Sequence, residues 1–154
     1  MNISIGSDHA GYDLKEKIKD YLHEKSKKNI LNKILINDRG TYNNDSCDYP
    51  DYAHLVADDV VSKKSDFGIL ICGSGNGINM AANKHEGIRS ALCWNKEVTE
   101  LSRLHNNANI ITLPARFIST EEAIEFLELF FSTQFERGRH TKRTNKININ
   151  KNDE

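Results

Sequence analysis

Short apolar runs alternate along this chain with segments whose apolar residues return at helical spacing. Ile3-Ser4-Ile5 ends at Gly6, after which Leu14, Ile18, Tyr21 and Leu22 share one helical face, with Lys15, Glu16, Lys19 and Asp20 off it. Ile34-Leu35-Ile36 predicts a second strand. Pro50 suits a first helical turn and opens a helix over Tyr49 to Val61, whose buried stripe is Ala53, Val56, Ala57, Val60 and Val61. Phe67 to Ile71 predicts a third strand, and Ile78, Met80, Ala81 and Ala82 the helix after it. Ile88–Cys93 and Ile110–Leu113 complete the strands, with a helix from Lys96 to Leu104 between them. Ser119-Thr120-Glu121-Glu122 has the form of a capping box for a last helix carrying Ile124, Leu127, Phe130 and Phe131. This alternation predicts an α/β fold, a Rossmann-like three-layer αβα sandwich around a five-stranded parallel sheet. There is no internal repeat or linker, so residues 1–147 read as one domain. The Lys25–Asn32 stretch reads as an exposed loop and residues 148–154 as a disordered tail.

Composition narrows the class. Net charge is −1, which gives the whole molecule no pull toward nucleic acid or an anionic membrane. No apolar stretch reaches the length of a membrane span, and the first residues read as a short strand and not a signal peptide. Cys47, Cys72 and Cys93 are scattered without a CxxC pair, which fits a reducing, cytoplasmic setting and no zinc or disulfide framework. The histidines form no HxH or HExxH pattern, so no metal is expected.

One run carries more chemistry than the rest. An apolar strand ends in Cys72, and Gly73, Gly75 and Gly77 then crowd backbone N–H groups at the start of a helix. Such a nest favours a bound phosphate or an oxyanion formed during reaction, and it predicts a thiol pKa depressed toward neutrality. The glycines spell GxGxG, not the dinucleotide GxGxxG, and Cys72 stands where a GxSxG elbow needs glycine. Ligands of open parallel sheets sit beyond the carboxyl ends of the strands. Ser7-Asp8-His9, Cys72 with its loop, Pro114-Ala115-Arg116 and His105-Asn106-Asn107 are therefore expected at one rim. Taken singly, Cys72 is a buried thiol, His105 a helix-end cation and Asp8 an N-cap. Their coincidence is what favours a site.

Several segments together resemble the type B ribose-5-phosphate isomerases, a family that includes galactose-6-phosphate and allose-6-phosphate isomerases. They are Ser7-Asp8-His9-Ala10-Gly11, Asp48-Tyr49-Pro50-Asp51-Tyr52-Ala53, Cys72-Gly73-Ser74-Gly75-Asn76-Gly77, Ala81-Ala82-Asn83-Lys84, Gly87-Ile88-Arg89, His105-Asn106-Asn107-Ala108-Asn109 and Gly138-Arg139-His140 with Arg143. The resemblance implies a cofactor-independent aldose–ketose isomerase that works through an enediolate. It assigns ring opening to His105 with Asp8 nearby, and proton abstraction to Cys72. The loop Gly73, Ser74, Gly75, Asn76 and Gly77 becomes the anion hole, with the Ser74 hydroxyl helping. Phosphate falls to His9, Arg116, Arg139 and Arg143, and sugar hydroxyls to Tyr49 and Asn106. It also implies a homodimer or tetramer in which residues 136–147 reach the neighbouring site. Ile78 stands where other members place a glutamate base, so the chain resembles the cysteine subgroup. Pro114-Ala115 precedes Arg116 where glycines are commoner, and the Lys25–Asn32 connection is longer than usual. Three other readings are a hexose-6-phosphate isomerase, a non-catalytic phosphate-binding module, and a nucleic-acid contact through Arg139–Lys146. The last two leave Cys72 and His105 without a task.

Overall fold

Residues of the central strand point alternately into two separate apolar cores, and this alternation sets the architecture. The computed structural model describes residues 1–28 and 33–148. In chain order the elements are β1 (Asn2–Ser7), a 3-10 turn (His9–Gly11), α1 (Tyr12–Lys28), β2 (Leu35–Asp38), α2 (Tyr49–Val61) and β3 (Phe67–Cys72). They continue with α3 (Asn76–Ala82), β4 (Ser90–Leu92), α4 (Lys96–Leu104), β5 (Ile110–Pro114), α5 (Thr120–Ser132) and α6 (Arg139–Thr144). All strand pairs are parallel, in the order β2-β1-β3-β5-β4.

Ile69 and Ile71 of β3 pack with Leu14, Ile18 and Leu22 of α1 and Ala123, Phe126, Leu127 and Phe130 of α5. Leu70 and Cys72 face the other way, onto Ala53, Val56, Ala57 and Val60 of α2 and Ile78 and Ala82 of α3. Because both faces are covered, β3 and β5 are apolar at nearly every position, as in other buried parallel sheets. Capping punctuates the helices: Asn95 accepts from the Val98 N–H to start α4, and Ser119 with Glu122 closes the expected capping box of α5. Asp59 is a buried carboxylate on the α2 face, held by Ser4 Oγ at 2.7 Å, Asn37 Nδ2 at 2.8 Å and both arms of Arg39.

Strand order reverses between β1 and β3, the point where an open sheet leaves a crevice beyond its carboxyl ends. Asp8 and Cys72 both stand there. Two details differ from expectation. Lys25–Lys28 belong to α1, not to a loop, since Lys25, Lys27 and Lys28 are good helix formers; residues 29–32 lie outside the described residues. Arg139–Thr144 form a helix, while residues 149–154 of the expected tail lie outside the described residues. Among the described residues, no helix is long and apolar enough to cross a membrane.

Candidate active site

The turn after β1 is pressed against β3 because Gly11 has no side chain: a Cβ there would stand 2.6 Å from the Ile71 carbonyl oxygen. Asp8 caps this turn, its Oδ1 accepting from the Gly11 N–H at 3.0 Å. Its other oxygen, Oδ2, accepts a hydrogen bond from Cys72 Sγ at 3.0 Å. The pair is buried, with Asp8 5% and Cys72 8% exposed. Burial, then the hydrogen bond and negative charge of Asp8, push the Cys72 thiol up to about 11. N–H groups of Gly75 and Gly73 pull the other way and lose. The expectation of a thiol lowered by the helix end is therefore overturned in the free protein. Burial, with a carboxylate at hydrogen-bond distance, outweighs the N-terminus of a seven-residue helix.

Gly75 and Gly77 of the loop pack too tightly for a side chain. Gly75 has φ +76°, and a Cβ on it would meet Leu92 Cδ1 at 2.4 Å. On Gly77 a Cβ would fall 2.5 Å from Tyr49 Cζ, so the Tyr49 ring lies against this end of the loop. Over Gly73 lies the Arg116 guanidinium, whose Nε would be 3.2 Å from such a Cβ. Its aim is set by the backbone, since Ala115 N donates to Cys72 O at 2.9 Å and Arg116 N to Gly73 O at 3.1 Å. Ser74 and Asn76 are exposed at the mouth, and Ser74 Oγ accepts from the Asn76 N–H at 3.3 Å. His9 Nδ1 accepts from the Cys47 N–H at 3.3 Å. In the neutral ring the proton is therefore on Nε2, a donor suited to an anion.

His105 and Asn106 are elsewhere. His105 follows α4, its N–H donating to Leu101 O at 2.9 Å, and the chain then enters β5 at Ile110. Ile110 is in register with Gly68, near the amino end of β3, whereas Cys72 is opposite Pro114 at the carboxyl end. His105, exposed Asn106 and the C-terminal arginines therefore occupy the amino edge of the sheet, not the rim that carries Cys72. The expected single rim is corrected to two groups at opposite edges, because a helix leading into a parallel strand must end at that strand's amino end.

At the amino edge the His105 ring stacks on His140, with centroids 4.2 Å apart and planes 7° from parallel. Glu136 Oε2 lies 3.6 Å from His105 Nε2 and 3.7 Å from His140 Nε2. Arg139 Nε donates to His140 Nε2 at 3.3 Å. Burial, reinforced by positive neighbours, holds His140 below the usual histidine range. Arg139 and Arg143 are themselves exposed. Among the described residues, His105, Glu136 and His140 are the group whose ligand atoms approach closely enough to suggest a cation. Parallel rings, however, send their lone pairs side by side and not to one point.

Comparison with known proteins decides the lineage. The sequence pattern described as Ribose/Galactose Isomerase matches residues 3–147. The chain belongs to that family. It is 39% identical over 145 residues to the ribose-5-phosphate isomerase B of Escherichia coli, covering 94% of this chain and 93% of the relative. A ribose 5-phosphate isomerase structure from Thermotoga maritima is 48% identical with a TM-score of 0.89, covering 95% of this chain and 96% of that one. The Mycoplasma genitalium ribose-5-phosphate isomerase B, solved with bound ribulose-5-phosphate, is 42% identical with a TM-score of 0.86, covering 95% and 93%.

As a member of the ribose/galactose isomerase family, this protein is a sugar-phosphate isomerase. The structure brings together Asp8, His9, Tyr49, Cys72, Gly73, Ser74, Gly75, Asn76, Gly77 and Arg116 at the carboxyl edge. It gathers His105, Asn106, Arg139 and Arg143 at the other. Three residues that touch these side chains are announced by no sequence pattern. Cys47 orients His9 through a backbone N–H, which no side-chain pattern announces. His140 meets the His105 ring, and Glu136 meets His105, only through the packing of the segment after α5 onto α4.

Proposed function

We propose that this isomerase interconverts ribose 5-phosphate and ribulose 5-phosphate without metal or organic cofactor, in a site completed by a second copy of the chain. The buried Cys72–Asp8 pair at the sheet's reversal point carries the reading, since it is a base with its proton acceptor already in contact. His105 of the second copy takes the anomeric hydroxyl proton and returns one to the ring oxygen, which opens the sugar. Arg116 and His9, with Arg139 and Arg143 of the second copy, hold the phosphate; guanidinium forks suit its oxygens. Tyr49 and the second copy's Asn106 meet sugar hydroxyls.

The thiol proton already points at Asp8 Oδ2, so the thiolate forms by transfer to that carboxylate and not to bulk water. Thiolate then takes the C2 proton of the open aldose, leaving an enediolate. Backbone N–H groups of Gly73 to Gly77 and the Ser74 hydroxyl stabilise its O1 oxyanion; the C2 hydroxyl proton passes to O1 and the thiol proton to C1 as the ketose forms, and Asp8 then returns its proton to the sulfur. Support for the five-carbon substrate comes from the relatives named for ribose 5-phosphate and from the neighbour solved with ribulose-5-phosphate.

Isomerisation of ribose 5-phosphate, measured with and without chelator for wild type and Cys72→Ala, tests this. Chelator-resistant turnover that falls at least a hundredfold in Cys72→Ala is expected. Turnover confined to a six-carbon sugar phosphate overturns the substrate, and turnover that survives loss of the thiol overturns the base.

A further inference from the structure

Among the described residues Glu136 is the carboxylate beside the stacked pair His105–His140, and hydrogen positions on the pair follow from geometry. Arg139 Nε–H points at His140 Nε2 from 3.3 Å, so that nitrogen is an acceptor and the neutral His140 ring carries its hydrogen on Nδ1. His140 is 4% exposed and faces His105, Arg139 and Arg143, all adverse to a second positive charge. Glu136 Oε2 lies about equally far from both Nε2 atoms. On His140 it meets a lone pair already given to Arg139; on His105 no other partner holds Nε2 among the described residues. A carboxylate beside an imidazole nitrogen favours the hydrogen on that nitrogen.

We infer that Glu136 is a positioning residue: it holds His105 in the Nε2–H form, its ring braced flat against His140, and leaves Nδ1 as the open lone pair. This rests on His105 being the ring-opening group. Glu136 touches no reacting atom in this account. It acts by selecting which nitrogen accepts the hydroxyl proton and by keeping the ring from turning between turnovers. Its own backbone is fixed for the purpose, the Glu136 N–H donating to Leu104 O at 3.0 Å just before His105. A side chain 55% exposed has no core to support, so its removal leaves folding intact.

Long-range proton–nitrogen NMR of the ligand-free, histidine-labelled protein reads the tautomer of each ring directly, and steady-state kinetics read its consequence. For wild type, His105 is expected as Nε2–H and His140 as Nδ1–H. In Glu136→Ala the His105 signals move toward the other tautomer, and kcat falls about tenfold while KM stays within about twofold. Glu136→Gln, which keeps an acceptor, recovers most of both. An unchanged His105 tautomer in Glu136→Ala overturns the inference, whatever the activity. A shifted tautomer with unchanged kcat upholds the Glu136–His105 coupling and instead removes His105 from ring opening. Inhibition of wild type by micromolar Zn2+, lost in Glu136→Ala with the tautomer unmoved, overturns the inference in favour of a cation site.

Discussion

The proposed site, with Cys72 and His105 contributed by different chains, makes a quantitative prediction for mixed subunits. Cys72 pairs with Pro114 and Gly68 with Ile110, four residues apart on each strand. At about 3.3 Å per residue the edges are ~13 Å apart, and His105 lies beyond the nearer one. Proton transfer needs heavy atoms about 3 Å apart, so Cys72 and His105 of one chain cannot serve the same sugar. In a dimer carrying Cys72→Ala on one chain and His105→Asn on the other, a shared arrangement puts both lesions in one site and leaves the other site whole. Each homodimer is then inactive, while the purified heterodimer keeps about half the wild-type turnover and an unseparated random mixture about a quarter. Pairing a wild-type chain with the Cys72→Ala/His105→Asn double variant reverses the pattern, because each site then holds one lesion. Two affinity tags, native mass spectrometry of the isolated heterodimers and a ribose 5-phosphate assay give the numbers. A heterodimer of the single variants below a few per cent of wild type, with the other pairing at half activity, refutes the shared site. A protein monomeric at working concentration refutes it as well.

Asp8→Asn removes one of the causes that raise the Cys72 thiol to about 11, while burial remains. Iodoacetamide labelling of Cys72 at pH 8, followed by peptide mass spectrometry, therefore accelerates about three- to thirtyfold, and an unchanged rate contradicts the assignment. Gly11→Ala forces a methyl against the Ile71 carbonyl, a backbone atom that cannot turn aside; urea unfolding should show a loss of about 2–4 kcal/mol, and a loss below 0.5 kcal/mol means the turn is looser than described. The hydrogen bonds from Arg39 hold the Asp59 carboxyl below the usual carboxylate range. A lowered folded pKa gives stability that is present above the unfolded value and lost as pH falls through the folded one. Acid denaturation curves should therefore drop below about pH 4, and Asp59→Asn should flatten that drop.

Much of this protein was determined by local chemistry that a sequence displays. Short apolar runs mark all five strands and helical-period runs the helices between them, and Tyr49–Val61 and Lys96–Leu104 are bounded as the structure has them, because Pro50 and the flanking polar residues act over one turn. The glycine loop was legible because Gly73, Gly75 and Gly77 stand where backbone approaches an arginine, a strand and a tyrosine, and at Gly75 and Gly77 a side chain would collide. Tertiary structure alone decided the rest. The state of Cys72 depends on Asp8, 64 positions away, since Coulomb and hydrogen-bond energies follow distance through space and not along the chain. His105 went to the amino edge because the direction of a parallel strand, not the chemistry of the histidine, sets where its preceding helix ends. For the same reason Glu136 and His140 meet His105 only once the segment after α5 has folded back onto the end of α4.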